Sequence, residues 1–117
     1  MVYKLEELHV YDLSVKLAMD IFSLSRTFPS DEKYSLASQL NRAARSVSLN
    51  IAEGWGRRIY PAEFKKSLVY SLGSVEETKS ALSFAHLCGF ITLEKFDHLR
   101  IQYKMVAAQL HKLYNNW

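Results

Sequence analysis

The sequence predicts an all-α protein, an up-down-up-down antiparallel four-helix bundle, with residues 1–117 as one domain. Three observations carry this. Glycine (4) and proline (2) are scarce in 117 residues, which argues against the turn-rich chemistry of sandwiches and barrels. Apolar residues recur at spacings of three and four in four separate stretches, the signature of a buried helical face. Only three short breaks separate those stretches, and short connections favour antiparallel neighbours.

The first helix is expected over 9–27. Val10, Leu13, Leu17, Ile21, Leu24 and Phe28 fall on one face. Pro29 ends it, because the residue before a proline is pushed out of the helical region. Ser30 is then a candidate N-cap, with Asp31 and Glu32 suited to the positive end of a helix dipole. The second helix is expected over 31–55, with a stripe of Leu36, Leu40, Ala43, Ala44, Val47 and Ile51. Gly54 and Gly56 are read as its C-terminal cap.

Pro61 suits the first turn of a third helix over 61–87, striped by Phe64, Leu68, Leu72, Val75 and Leu82. Gly73 inside it predicts close backbone packing. Gly89 is read as its stop, and Thr92 as the cap of a fourth helix over 93–115. There Phe96, Leu99, Tyr103, Val106, Leu110, Leu113 and Trp117 form a heptad seam. Leu17, Ile21, Leu40, Val47, Leu68, Leu72, Leu99, Val106 and Leu110 are expected to be buried. Tyr11, Val15, Phe22, Trp55 and Tyr70 lie off the stripes and predict a second apolar face.

Composition narrows the functional classes. Hydrophobic residues at 49% and charged residues at 23% exclude a disordered chain. One cysteine, Cys88, excludes an internal disulfide and a Cys-rich zinc site; it is expected to be a small core residue. Glu6 and Glu7 stand where a signal peptide needs an apolar run, and the longest uncharged stretch, 80–93, is too short to span a bilayer. A cytoplasmic protein without membrane contact is expected. The Glu6-x-x-His9 spacing occurs without the second copy that a di-iron bundle needs, and His86, His98 and His111 are scattered. No metal, cofactor or catalytic residue is expected. Phosphate-loop, dinucleotide and nucleophile-elbow motifs are absent.

Polar and basic residues remain. Asn50 and Glu53 sit beside the core stripe of the second helix and read as structural; the alternative makes Glu53 a general acid or base, with no nucleophile to accompany it. Between residues 42 and 66, Arg42, Arg45, Arg57, Arg58, Lys65 and Lys66 stand against Glu53 and Glu63. Four of these cations flank the second break, with Tyr60 among them. Basic and aromatic groups around a loop can hold phosphates and stack a base; the plain alternative is a solvated turn.

The segment 28–77 resembles the four-helix-bundle family of proteins encoded in intervening sequences of bacterial 23S ribosomal RNA genes. The resemblance rests on Phe28-Pro29 with Glu32, Leu36, Gln39, Arg42-Ala43 and Ser46, then Asn50-Ile51-Ala52-Glu53-Gly54 and Gly56-Arg57-Arg58, and finally Leu72-Gly73-Ser74 with Glu77. Leu5 to Leu8, Tyr11 and Gly89-Phe90 extend it over nearly the whole chain. Ser48 stands where the family often has proline, so a kink there would come from Ser bonding back to a carbonyl.

The resemblance implies a non-enzymatic bundle assembling as a cyclic homo-oligomer, a pentamer. It also implies kinship with the accessory variability protein of diversity-generating retroelements, which associates with a reverse transcriptase and nucleic acid. Three readings follow. The leading one is RNA or DNA binding through a basic surface, since five copies of the basic turn would bring about twenty cations together. The second is a protein-interaction adaptor, for example docking a reverse transcriptase. The third is an enzyme without a recognisable motif.

Overall fold

The computed structural model describes residues 4–117. The first three residues of the expected domain lie outside the described range. Four α-helices follow a 3-10 turn at Leu5–Glu7: α1 (His9–Ser25), α2 (Leu36–Gly56), α3 (Pro61–Leu87) and α4 (Leu93–Asn115). No strand occurs among the described residues, and none of their helices is long and apolar enough to cross a membrane. Contacts run α1 to α2, α2 to α3, α3 to α4 and α4 back to α1, closing a four-helix bundle, with α2 and α3 sharing the most extensive contact.

The register is fixed by paired residues. Ser14 meets Ser48, and Ser25 meets Asn41, between α1 and α2. Ser71 meets Val47, and Ser74 meets Ser46, between α3 and α2. His86 stacks on Phe96 in the first turn of α4, and Phe64 packs on Trp117 just past its end, linking α3 to α4.

Helix ends follow local chemistry. The Gly89 stop is a full Schellman motif: Gly89 sits at φ 78°, its N–H donates to the His86 carbonyl, and Phe90 N–H donates to Ala85. Thr92 Oγ1 accepts from Lys95 N–H at 3.1 Å, capping α4 as expected. α2 departs from expectation by starting at residue 36, not 31. Ser30–Glu32 forms only a 3-10 turn after Pro29, and the chain breaks at Ser35 (φ −122°, ψ −107°). Glu32 then reaches forward, and its Oε2 accepts the Leu36 N–H at 3.1 Å.

The core contains eight of the nine residues expected to be buried; the exception, Leu72, is half-buried at the edge of the cluster. Its place is taken by small polar residues, since α3 turns Ser67, Ser71, Ser74 and Thr78 inward. Ser71 Oγ donates to the Val47 carbonyl at 2.8 Å, and Ser74 and Ser46 share a hydrogen bond of 2.8 Å. Ser48 does not bond back to its own helix. Its hydroxyl shares a hydrogen bond of 2.9 Å with Ser14 on α1.

Three further expectations are corrected. Trp55 is 7% exposed and belongs to the core, because it packs in edge contact with Phe64 and Trp117. Cys88 is exposed, since it follows the last turn of α3 beyond the buried stripe. The glycine of close packing is Gly54, not Gly73. A Cβ on Gly54 would stand 2.6 Å from Ser67 Cβ, whereas one on Gly73 would meet nothing within 4 Å. Gly54 therefore lies inside α2, and its lack of a side chain lets α2 and α3 approach.

Gly54→Ala should destabilise the fold by about 1–3 kcal/mol through overpacking. Gly73→Ala should be neutral or stabilising by up to about 1 kcal/mol through helix propensity. Denaturant melts of the two variants check both signs.

Candidate nucleic-acid interface

The basic residues singled out by sequence fall into two places. Arg42 and Arg45 lie on α2, about 22 Å and about 18 Å along the helix from Arg57 at 1.5 Å per residue. Arg57, Arg58, Lys65 and Lys66 surround the α2–α3 turn.

At the turn, most of the charge already has a partner. Arg57 stands between two carboxylates, at 3.3 Å from Glu53 and 3.8 Å from Glu63. Arg58 Nη1 donates to the Trp55 carbonyl at 2.8 Å, and its guanidinium lies 4.1 Å from the Trp55 ring centroid. Trp55 in turn joins Phe64 and Trp117, whose rings are 4.5 Å apart, so Arg58 lids an aromatic cluster at this end of the bundle. Lys65 Nζ sits 5.0 Å over Tyr114, and Lys66 Nζ 5.9 Å over Tyr70. Tyr60 is exposed, and its carbonyl accepts the first N–H groups of α3.

Arg42 and Arg45 belong instead to a groove of about 680 Å³ between the end of α1 and the first half of α2. Its construction follows from the break at Pro29. α1 ends at Ser25, whose hydroxyl donates to the Phe22 carbonyl at 3.0 Å and accepts from Asn41 Nδ2 at 2.7 Å. That bridge pins α1 to α2. The 3-10 turn then swings Lys33 and Tyr34 out along the groove, with Phe28 packed at 5.5 Å on Phe90 beneath it.

The groove is lined by four cations, Arg26, Lys33, Arg42 and Arg45, and by no carboxylate. Among the described residues, none of the four is in an ion pair. Arg26 and Arg45 approach the same Phe22 ring, at 5.6 and 5.9 Å from its centroid, within the range of cation–π attraction. Like charges gathered in a lining without a carboxylate raise its potential and draw anions, with Asp31 and Glu32 on the adjoining 3-10 turn offsetting part of that charge.

Sequence reasoning missed Phe22, Arg26, Lys33 and Tyr34. The signal was present: basic residues flank the Phe28-Pro29 break with an aromatic among them, the same pattern that drew attention to the 57–66 turn.

Of the remaining positions, Asn50 makes contacts inside the bundle, while Glu53, Gly73 and Glu77 lie at the surface. Asn50 Nδ2 donates to the Ser46 carbonyl at 2.8 Å and to Ser46 Oγ at 3.0 Å, orienting the hydroxyl that meets Ser74. Glu53 is exposed and paired with Arg57. Glu77 and Gly73 are exposed on α3. His86 stacks half-buried on Phe96, while His98 and His111 are exposed. Among the described residues no group of three or more His, Cys, Asp or Glu is arranged to hold a metal. Burial pushes the Tyr103 phenol far above its ordinary pKa, and the Asp20 carboxylate adds to the shift. Tyr103 does not line the groove.

Residues 6–112 match the 23S rRNA-intervening sequence protein family. The chain belongs to that family. A solved structure of a protein of unknown function from the S23 ribosomal protein family of Bacteroides thetaiotaomicron is similar in fold. It superposes with a TM-score of 0.82 at 22% identity, covering 91% of this chain and 95% of that one. No curated protein matches the chain. Within the Asn50–Gly54 string of this chain, Asn50 serves the serine contacts and Gly54 the helix approach.

The turn's two arginines should separate in a stability assay. Arg57→Ala should change unfolding free energy by under about 1 kcal/mol, because its ion pairs are half exposed. Arg58→Ala should cost about 1–2 kcal/mol through the lost ring and carbonyl contacts. Thermal melts followed by tryptophan fluorescence check the order.

Proposed function

We propose that this chain is a non-enzymatic, cytoplasmic helical-bundle protein that binds nucleic acid, RNA or DNA, through a basic surface. The observation that carries the reading is the α1–α2 groove, with four cations, two of them from the sequence-predicted set, and no carboxylate in its lining. Phosphate backbones supply the matching anion, and arginine is well suited to phosphate geometry. Arg57, Arg58, Lys65, Lys66 and Tyr60 form a second, weaker contact, discounted by Glu53 and Glu63.

The proposed assembly is an up-down-up-down antiparallel bundle repeated in a cyclic homo-oligomer, with five copies as the resemblance implies. The register supports the first part, since the partners of 14 and 25 on α1 are 48 and 41 on α2. Support for the second comes from α3. It buries Phe64, Leu68, Val75 and Leu82 on one side and exposes Val69, Tyr70, Phe84 and Leu87 on others. Exposed apolar side chains on a second side of the helix, even interleaved with charges, fit a further packing surface.

Two measurements test this. Light scattering at micromolar concentration should give a stable oligomer of about five chains, and a stable monomer would remove the ring. In anisotropy titrations with labelled oligonucleotides of unrelated sequence, Arg42→Ala/Arg45→Ala should weaken all alike. It should also reduce the log–log salt slope by about 1.4, at about 0.7 per single-strand contact. Arg57→Ala/Arg58→Ala should reduce it less. Unchanged affinity and slope in both variants would defeat the nucleic-acid reading in favour of protein docking.

A further inference from the structure

We infer that the α1–α2 groove selects unpaired nucleic-acid strands over duplex, holding phosphates on Arg42 and Arg45 while a base stacks on Tyr34. This rests on the nucleic-acid reading above and goes further by assigning the strand class and the residue that reads it.

Shape is the first argument. The groove is a concavity of about 680 Å³, in the size range that encloses a drug-sized ligand, about 300–1,000 Å³. A duplex is itself grooved, and its base edges are read by elements that protrude into it. A concave site meets a duplex only at its phosphate ridge. An unpaired strand bends into such a site and brings its base faces with it.

Division of labour among the aromatics is the second argument. Phe22 is occupied: two guanidiniums sit over its ring, so it orients cations. Tyr34 is different. It lines the groove yet remains 88% exposed, with Lys33 Nζ at 5.3 Å from its ring centroid. A phenol left in water beside a cation, at the mouth of a carboxylate-free groove, has the composition of a single-strand stacking platform. Burial of Leu36 and Ala37 immediately after it anchors the segment that presents it.

The test uses the full chain and four labelled probes at low salt: a 12-nucleotide oligo-dT, the same length of oligo-rU, a hairpin duplex, and an abasic 12-mer that keeps the phosphates. The parent should bind both unpaired strands at least 10-fold more tightly than the duplex or the abasic strand. Tyr34→Ala should weaken unpaired-strand binding roughly 5- to 150-fold, the range of one base–aromatic stack, and leave duplex and abasic binding unchanged. Tyr34→Phe should restore the parent's preference.

Equal affinity for duplex and strand, or a Tyr34→Ala variant that binds strands like the parent, overturns this inference. If Arg42→Ala/Arg45→Ala still lowers binding to every probe in that case, the nucleic-acid reading stands without strand selection. If that variant and Arg57→Ala/Arg58→Ala both bind every probe like the parent, both fall.

Discussion

The close approach of α2 and α3 at Gly54 is the constraint on which the rest of the bundle depends. With no Cβ at Gly54, the α3 backbone can come near enough for Ser67 to fill the space a methyl group would take. That proximity brings Ser71 within reach of the Val47 carbonyl and Ser74 within reach of Ser46. Hydroxyls buried this way must be paired, and each pair contributes only about 1 kcal/mol. Their larger effect is on register. A rotation of α3 would leave several buried hydroxyls without partners, so the interface tolerates one arrangement. Ser48 then carries the same logic to α1 through Ser14, and Asn41 does so through Ser25. The end of α1 is held beside α2 by the Ser25–Asn41 bridge, and the groove lies along the side of that bridge.

Much of the fold was legible because helix periodicity and end chemistry act locally. The α3 and α4 boundaries followed from Pro61, Gly89 and Thr92, whose effects reach no farther than one turn. The start of α2 was not legible. Ser30 looks like a cap, but the competing 3-10 turn after Pro29 and the forward reach of Glu32 decide the matter, and both depend on where Leu36 must go to be buried. The two mid-helix glycines were misassigned for a similar reason. Gly54 next to Gly56 has the composition of a terminus, and Gly73 that of a packing site; only the neighbouring helix distinguishes them. Inward serines were missed because an apolar stripe is the signal sought, and α3 buries Ser67, Ser71 and Ser74 instead.

The candidate site was half legible. Cations close in sequence were grouped as one patch, and folding separated them. Glu53 meets Arg57 one helical turn along α2 and Glu63 meets it from across the turn, so local sequence places counter-charge where the cations cluster. Arg42 and Arg45 point to the opposite end of α2 and join Arg26 and Lys33, which come from the far side of a helix break. Proximity across that break is tertiary information. A count of charge along the chain records the turn as the more basic region. In the folded molecule Arg57 is paired while the lining of the groove holds no carboxylate, and what draws an anion is charge left uncompensated in space.

Four cations in one groove supply modest affinity, and their attraction weakens steeply as salt rises. In the proposed ring the same groove recurs at every symmetry position. Once one groove holds part of a strand, the next groove sees that strand at the effective concentration set by the spacing, and avidity can exceed the single-site affinity by about 10²–10⁴ without any new contact. Duplex is too stiff to bend into successive concavities at small cost, with a persistence length near 150 base pairs. An unpaired strand follows such a path far more readily. The selectivity argued for one groove from its shape and from Tyr34 would therefore be amplified by assembly, through a mechanical property of the ligand that is independent of base identity. Strand class would then be discriminated strongly and sequence weakly.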